Sequence, residues 1–369
     1  RAIVVVSDFA LAYARLSMLH ETMYMEGYDR SDARFDLMLS TAQQALTLQP
    51  NLPEAHMAMA VYHYNVFDHD TALEELAIAA QGMPNDPEIN LYRGYIYRGL
   101  GQWEAAQREF MRVADLDPRN RLDAFTQLGL THIKMRNYVE GEIALDKALE
   151  FRPDHAVAMR YMAAIPMYRD GDVSRIKAFV GDPKKQPDNS RDGYYAAIYE
   201  RDYELAMRYL DGWEMHLSGS WYLRQKSSYY GLTYRLAGQP ERAANSFEEA
   251  LAQLQQLSER SSNDYRYQTA LAVALAGLGD SAGAVQAAER AMALLPPTSH
   301  ATAGRYMQLR MIRAVFAVIE DDERLLQELD EYLGNHHHWS IEGLMPDPRF
   351  DFIRDDPRFL ALVEKYRRR

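Results

Sequence analysis

Cysteine is absent from the 369-residue chain. Without thiols, the chain forms neither a disulfide framework nor a thiolate metal site. Basic residues are also in the minority, because 41 Lys and Arg stand against 53 Asp and Glu, for a net charge of −12. A surface that binds phosphates needs clustered Lys and Arg, so this balance argues against nucleic acid as a partner.

A long apolar run is missing as well. A helix that spans a bilayer needs about 20 apolar residues, and the opening run Ala2–Val6 is far shorter. It also lacks the basic start and the cleavage site of a signal peptide. These absences do not decide whether the chain is located in a bacterial cytoplasm or in a periplasm. Because position 1 is Arg and not Met, we expect the chain to begin inside a longer natural protein.

Prolines recur in the sequence at a fixed spacing. Pro50, Pro84, Pro118 and Pro153 are separated by 34, 34 and 35 residues, and they follow apolar stretches of helical character. Proline cannot continue a helix, and it disfavours helical angles in the residue before it. A proline at fixed phase therefore predicts the end of every second helix in a repeated helix pair.

Small residues recur in the same phase and predict where the two helices of each pair cross. Two helices approach closely only where side chains are small. The small positions of the first helix are Ala60, Gly94 and Gly129, those of the second are Ala72, Ala106 and Gly141, and the larger side chains of the next layer are Leu76, Phe110 and Leu145.

This pattern resembles the tetratricopeptide repeat, a helix–turn–helix unit of about 34 residues. Residues 87–118 match best, with Gly94, Tyr97, Ala106, Phe110 and Pro118 in phase, while Asn90 replaces the usual aromatic residue. The resemblance implies an all-α solenoid of at least eight antiparallel helix pairs, wound as a right-handed superhelix. Further units are expected at 7–50 (with extra residues around 25–30), 156–182, 187–218, 224–257, 265–296 and 301–333.

The segment 181–190 is rich in turn-forming residues and predicts a joint. We expect two sub-arrays of one continuous solenoid, residues 1–182 and 183–369. At the carboxy-terminal end, Asp347-Pro-Arg-Phe350 and Asp356-Pro-Arg-Phe359 repeat one tetrapeptide. Asp as the N-cap followed by Pro at the first helical position is a helix start. The second copy predicts a capping helix from Pro357 to about Tyr366.

These terminal motifs, together with the segment Asp8–Leu16, resemble one bacterial group. The group comprises the repeat modules attached to winged-helix transcription regulators of the CadC type, to class III adenylate cyclases and to some serine/threonine kinases. The resemblance implies that the chain receives a signal or a protein partner for an effector domain that lies outside this segment.

No catalytic constellation stands out in the sequence. A Gly-rich phosphate loop, a His-Glu-x-x-His motif and a nucleophile elbow are all missing, so we predict no catalytic residue, no cofactor and no enzyme. The cluster His336-His337-His338-Trp339 could bind zinc or copper with Glu342 or Asp347. Adjacent histidines seldom converge on one ion, so the favoured prediction is a loop that packs on the cap, and a metal site is not predicted.

Two groups of residues are candidates for partner binding. Tyr and Trp are dense between 194 and 234, and we expect most to lie in the core and some to reach the surface. The second group is expected on the concave face of the solenoid. Transferring the repeat phase places these residues on it: Arg15, Tyr64, Asn65, Tyr95, Arg98, Lys134, Arg160, Tyr195 and Arg235. Such a face suits an acidic or carboxylate-bearing peptide, although exposed helix charges without a function remain the simpler interpretation.

The sequence therefore predicts a protein-binding or scaffolding module, with a peptide or protein in the concave groove and a role as the sensory part of a bacterial regulator. Two alternatives stay open. One is a structural subunit of a larger assembly. The other is an enzyme or metal-binding protein that uses the region His336–Trp339.

Overall fold

The computed structural model of the protein describes residues 9–25, 28–29, 31–181, 190–213, 223, 225–256 and 263–367. Within these ranges every regular element is a helix, which confirms the predicted all-α helical repeat. The described residues fall into two compact units. Unit 1 runs to Thr131 and unit 2 begins at His132. The predicted joint at 182/183, the run Ala2–Val6 and part of the 25–30 segment lie outside the described residues.

Unit 1 consists of antiparallel helix pairs. Its helices are α1 (Ala10–Met25), α2 (Asp32–Leu48), α3 (Pro53–Asn65), α4 (His69–Gly82), α5 (Pro87–Gly99), α6 (Trp103–Leu116), a 3-10 turn (Pro118–Asn120) and α7 (Arg121–Lys134), whose last residues belong to unit 2. Proline at the first helical position and an acidic N-cap start α5, where the Asp86 side chain accepts a hydrogen bond from the Glu88 amide at 2.9 Å. The first pair, α1 and α2, is longer than the others.

Unit 2 continues the helix pairs and ends in a different arrangement. Its helices are α8 (Tyr138–Phe151), α9 (Ala156–Asp170), α10 (Ser174–Val180), α11 (Ser190–Tyr199), α12 (Tyr203–Gly212), α13 (Lys226–Leu236), α14 (Pro240–Gln255), α15 (Tyr265–Gly277), α16 (Ser281–Leu294), α17 (Ala303–Met311), a π-helical turn (Ile312–Phe316), α18 (Asp322–Gly334), α19 (Ile341–Leu344), a 3-10 helix (Pro348–Ile353) and α20 (Pro357–Arg367).

The helix crossings follow the predicted phase. A Cβ atom on Gly94 would lie 2.4 Å from the buried Phe110 ring. Gly231 and Phe247 have the same sequence separation of sixteen residues as Gly94 and Phe110. A Cβ atom on Gly231 would lie 2.8 Å from the Phe247 ring. Such distances are too short for any side chain, so glycine at the crossing is a packing requirement. The small-residue rule that located the repeat therefore describes a physical contact.

Seven of the described turns between the two helices of a pair share one backbone form. One residue with positive φ stands directly before the N-cap of the second helix. These residues are Phe67, Gly101, Arg136, Arg201, Gly238, Gly279 and Glu320. Glycine adopts this left-handed conformation without strain, whereas Phe, Arg and Glu adopt it at a cost. The repeat therefore imposes the turn even where the local sequence opposes it.

The carboxy-terminal segment 335–354 folds back on unit 2. The Ser340 amide donates to the Tyr168 carbonyl oxygen at 3.0 Å, and the Tyr199 hydroxyl donates to the Gly343 carbonyl oxygen at 2.9 Å. The first Asp-Pro-Arg-Phe copy opens the 3-10 helix and the second opens α20. In α20, the side chains of Phe359, Val363 and Tyr366 are buried.

Candidate functional site: the first-helix face and the carboxy-terminal segment

Three tyrosine rings form a contiguous surface on the first helices of unit 1. The Tyr64 and Tyr95 rings are stacked with centroids 6.0 Å apart. The Tyr92 ring meets both edge-on, at 5.9 Å from Tyr64 and 5.6 Å from Tyr95. All three are half-buried. We call this group, together with Arg98, the tyrosine face.

Arg98 lies beside these rings at the carboxy-terminal end of α5. Its guanidinium carbon is 5.4 Å from the Tyr95 ring centroid and 5.3 Å from the Phe110 ring centroid. Cation–π contacts at such distances are favourable. Nη1 also lies 3.5 Å from the Thr131 hydroxyl oxygen. Arg98 is thus placed by aromatic rings beneath it and stays half-buried.

The tyrosine face keeps its hydroxyl groups neutral. Burial raises the pKa of Tyr64 to about 12, although Arg98 opposes the shift. Burial raises the pKa of Tyr95 above its ordinary value. Burial and the nearby Glu21 carboxylate raise the pKa of Tyr92 well above its ordinary value, and its hydroxyl donates to Glu21 at 3.4 Å. At neutral pH, the face therefore combines apolar ring area with hydroxyl donors and one fixed cation.

Of the residues named from the sequence, the structure brings Tyr64, Tyr95 and Arg98 together; Tyr92 and Glu21 were not among them. Tyr92 stands three residues before Tyr95 on the same helix, so helical spacing alone puts the two on one face. The other two candidates in unit 1 are Arg15 and Asn65. Arg15 is exposed. Burial raises the pKa of the Glu88 carboxyl group, and the charge of Arg15 opposes this shift. The Asn65 side chain donates to the Val61 carbonyl oxygen at 2.8 Å.

The four candidates in unit 2 contact their own chain. Arg160 pairs with Asp192 at 3.6 Å, and Arg235 donates to the Val318 carbonyl oxygen at 2.6 Å. Burial lowers the pKa of His338, in the carboxy-terminal segment, and the charge of Lys134 lowers it further. Tyr195 lines a cleft together with Arg349. The segment 335–354 thus supplies a neighbour to two of these positions, His338 to Lys134 and Arg349 to Tyr195.

The dense aromatic residues between 194 and 234 divide between core and partly exposed positions. Tyr194, Tyr199, Tyr209, Trp213 and Tyr229 are buried, whereas Tyr195, Tyr203, Tyr230 and Tyr234 are half-buried. Trp221 and Tyr222 lie outside the described residues. Tyr194, Trp213 and Tyr229 pack on one another with centroids 5.2–6.3 Å apart, so most of this aromatic density serves the core.

The histidine cluster packs against the end of unit 2. The His337 ring stacks on the Tyr332 ring with centroids 3.6 Å apart, and its Nδ1 atom accepts from the Trp339 amide at 3.2 Å. Burial lowers the pKa of His337 well below its ordinary value, and Arg136 adds to the shift. The rings of His338 and Trp339 meet Tyr168 edge-on. These contacts agree with the predicted packing role.

A buried ion cluster in unit 2 went unnoticed in the sequence. The Asp347 carboxylate is fully buried and lies 2.9 Å from Arg313 Nε and 2.5 Å from Arg349 Nη2. Burial alone raises the pKa of Asp347, but Arg349 and Arg313 outweigh it and hold the pKa below its ordinary value. The Arg313 guanidinium also lies 4.4 Å from the Trp339 ring centroid.

The motif Asp347-Pro-Arg349 was interpreted only as a helix start, which is half of its role. The Asp347 side chain does accept from the Arg349 amide at 3.1 Å. The carboxylate also binds two guanidinium groups, and one of them comes from a residue 34 positions earlier in the chain. Only the tertiary fold brings Arg313 to this carboxylate, so no local signal existed for it.

In the part of the chain that the structure describes, no group of three His, Cys, Asp or Glu side chains is placed to hold a metal ion. No helix there is long and apolar enough to cross a membrane.

Comparison with known proteins identifies one repeat by sequence. The tetratricopeptide repeat profile matches residues 122–155. No curated protein sequence matches the chain. Several solved structures do resemble it. One is YrrB, described as a TPR protein with an unusual peptide-binding site, at 22% identity and a TM-score of 0.34, covering 43% of this chain and 77% of that one.

Two further solved structures resemble longer parts of the chain. PilF of Pseudomonas aeruginosa shares 16% identity with a TM-score of 0.34, covering 68% of this chain and 94% of that one. A chain of the Cut9–Hcn1 hetero-tetramer of the APC/C shares 12% identity with a TM-score of 0.41, covering 90% of this chain and 52% of that one. None of these likenesses says what the present chain binds. The chain is an all-α helical-repeat protein that carries a tetratricopeptide repeat at residues 122–155.

Proposed function

We propose that the chain is a binding module for a protein or peptide, without catalytic activity of its own, and that the tyrosine face of unit 1 is its docking surface. The observation that carries the proposal is the grouping of Tyr64, Tyr92, Tyr95 and Arg98 on consecutive first helices. Tyr and Arg are the side chains that most often contribute interface free energy, because they join apolar area to directed hydrogen bonds.

The face is also preorganised. The rings are fixed by one another and by Phe110, whose ring centroid is 5.7 Å from that of Tyr95. A receptor that is already ordered loses little conformational entropy on binding. The favoured partner is a peptide that lays an apolar or aromatic side chain on the rings and an acidic group beside Arg98.

The experiment is a selection of peptides from a random display library on the full chain, followed by affinity measurements on variants. The double variant Tyr95→Ala/Arg98→Ala should weaken the selected peptides by about 2 kcal/mol or more, roughly 30-fold in Kd, while the helical circular dichroism stays unchanged. The matched control is Tyr234→Ala/Arg242→Ala, which removes another arginine stacked on a tyrosine, at 5.2 Å. The control should bind like the wild type.

Two results would contradict the docking surface. In the first, the selected peptides bind the double variant and the wild type alike, which favours a structural subunit that does not use this face. In the second, the control loses as much affinity as the double variant, which places the loss in folding and not in contact.

The resemblance of the terminal motifs to modules of CadC-type regulators, adenylate cyclases and kinases supports a finer proposal. In that proposal, the chain is the sensory part of a bacterial signalling or transcription regulator. Sequencing of the gene upstream of Arg1 tests it. A DNA-binding, cyclase or kinase domain in the same reading frame is the expected result, and an unrelated domain there would overturn it.

A further inference from the structure

The first part of the returning segment, residues 335–346, contacts the first helices of two helix pairs in unit 2. We call these residues the latch. The Ser340 amide of the latch donates to the Tyr168 carbonyl oxygen of α9 at 3.0 Å. The Tyr199 hydroxyl of α11 donates to the Gly343 carbonyl oxygen of the latch at 2.9 Å. Both tyrosine side chains are buried, so the latch covers part of the first-helix face of unit 2.

The latch is anchored separately at its two ends. It directly follows α18, and it directly precedes the buried Asp347 carboxylate, which binds Arg313 and Arg349. Between these anchors lies the short helix α19, whose Ile341 and Leu344 side chains are buried. This apolar burial favours a closed latch at neutral pH. The two anchors allow the residues between them to open without release of α20.

A histidine sets the turn inside the latch. The Nδ1 atom of His337 accepts from the Trp339 amide at 3.2 Å, so this nitrogen carries no proton in the closed latch. An imidazolium donates from both nitrogens, so protonation breaks this contact. The same turn places the Trp339 ring centroid 4.9 Å from that of Tyr168 and 4.4 Å from the Arg313 guanidinium carbon. Loss of the turn therefore loosens Trp339 from the first-helix face.

The charges that act most strongly on the two buried rings are positive. Arg136 Nη1 lies 3.4 Å from His337 Nε2, and the His337 ring stacks on the uncharged Tyr332 ring. The His338 ring meets Tyr168 edge-on. The cations belong to α7 and the turn after it, to α11, to α17 and to its π-helical turn, and they are Lys134, Arg136, Arg191, Arg305 and Arg313. Further protons on the rings are therefore unfavourable while the latch is closed.

Protonation consequently favours the open latch. Burial lowers the pKa of His337 and of His338 well below the ordinary 6.5, and the neighbouring cations add to the shift, whereas a hydrogen bond to the Tyr332 backbone opposes it at His337. The rings of an open latch are solvated, so they take up protons first as the pH falls. This advantage of the closed latch is complete above pH 6.5 and is lost as the pH falls towards the closed-state pKa.

We propose that residues 335–346 form a proton-operated latch on unit 2, which is closed at neutral pH and opens in acid to expose the side chains of Tyr168 and Tyr199. The latch is separate from the tyrosine face of unit 1 and does not depend on binding there. Its opening is local, because the helices of the repeat stay folded while residues 335–346 leave them.

Hydrogen exchange with mass spectrometry tests the latch on the full chain at pH 7.5 and pH 5.5. Protection factors are corrected for the pH dependence of the intrinsic exchange rate. Each histidine that stays neutral only in the closed latch should lower the protection of residues 335–346 by up to about tenfold between these values, so the wild type should lose up to about 100-fold. Peptides from α14 and α15 report on the repeat and should lose less. Equal losses in the latch and in these helices, or no loss in the latch, would overturn the proposal.

Variants assign the response to the histidines. His337→Asn keeps an oxygen that can accept from the Trp339 amide but does not titrate, so its latch should lose up to about tenfold less protection in acid than the wild type. His337→Asn/His338→Asn should abolish the response of the latch. The matched control is His336→Asn, at an exposed position of the same latch, and it should respond like the wild type. A full response in the double variant, with native helical circular dichroism, would contradict the assignment.

One further variant should open the latch without acid. A Cβ atom on Gly343 would collide with the Tyr168 carbonyl oxygen, and a backbone atom cannot rotate aside as a side chain can. Gly343→Ala should therefore remove the protection of the latch at pH 7.5, with little further change at pH 5.5, while α14 and α15 keep theirs. Loss of protection throughout unit 2 would show that the latch does not open by itself, and this result would also overturn the proposal.

Discussion

The first helices of the two units present Tyr and Arg side chains in very different surroundings. In unit 1, Tyr64, Tyr92 and Tyr95 contact one another and carry Arg98. In unit 2, the hydroxyl of Tyr199 donates to the returning segment 335–354, and Tyr195 shares a cleft with Arg349 of that segment. The same repeat thus gives an extended aromatic face in one unit and a cleft lined partly by arginine side chains in the other. The difference comes from the contacts of the segment 335–354 and not from the repeat itself.

The buried ions of unit 2 should give the largest effect. Asp347→Asn keeps the N-cap acceptor but removes the charge that two arginines share, so it should lower the free energy of unfolding by about 3–5 kcal/mol. Chemical denaturation followed by circular dichroism measures this. The matched control is Asp351→Asn in the same 3-10 helix, where the carboxylate is exposed and pairs with Arg201 and Arg354. Comparable losses in both variants would show that the cluster does not support unit 2.

The helix crossings should be the next most sensitive positions, and both units should share this sensitivity. Gly94→Leu in unit 1 and Gly231→Leu in unit 2 force a side chain into Phe110 and Phe247. Each should cost about 1–3 kcal/mol or more through overpacking, and Ala106→Leu should act in the same way. Thermal melts measure the loss. The control is Ala33→Leu, at an exposed helical position of unit 1. If Gly94→Leu melts like the wild type, the assigned repeat phase is wrong.

Acid should weaken unit 2 through His337. Burial and Arg136 lower the pKa of this ring in the folded chain, so the unfolded chain takes up the proton first as the pH falls below its ordinary pKa of 6.5. The histidine's contribution to stability is therefore present above pH 6.5 and is lost as the pH falls towards the folded-state pKa.

Melting temperatures at pH 7.5 and at pH 5.5 test this expectation. His337→Asn, whose side-chain oxygen can accept from the Trp339 amide, should reduce the loss of melting temperature between the two values. His336→Asn is the matched control, because His336 is exposed. An unchanged loss in the His337 variant would remove this ring as the cause.

The smallest effect should come from the exposed ion pair between Arg201, in the turn before α12, and Asp351 of the 3-10 helix. Arg201 and Asp351 lie 2.7 Å apart, and both side chains are 46% exposed. Solvent screening and side-chain entropy reduce such pairs to about 0–1 kcal/mol. Arg201→Gly removes the pair but also relieves the positive φ at this position, so it should be neutral or stabilising, whereas Arg201→Ala should destabilise slightly. Denaturation midpoints distinguish the two, and a large loss in Arg201→Gly would mean that the pair holds the segment in place.

Local spacing was sufficient to predict the repeat. The proline phase, the Gly94–Phe110 crossing and the helix start at Pro357 all appear in the structure where the sequence placed them. Each depends on contacts between residues close in the chain, or on a helix pair whose geometry is the same in every repeat. Periodicity therefore carries the information. Tyr64 and Tyr95 were named as candidates from this periodicity, and Tyr92 follows from the same helical spacing.

Only the tertiary structure decided the surroundings of these side chains. Arg313 and Arg349 meet at Asp347, and Tyr199 meets Gly343 across 144 positions, because the segment 335–354 returns to unit 2. The histidine cluster likewise becomes a packed element only when Tyr168 and Tyr332 close around it. Contacts of this kind have no period in the sequence, since they depend on the path of the whole chain. The sequence by itself therefore determines the repeat and its helix faces, whereas the path of the segment 335–354 decides which side chains of unit 2 are covered.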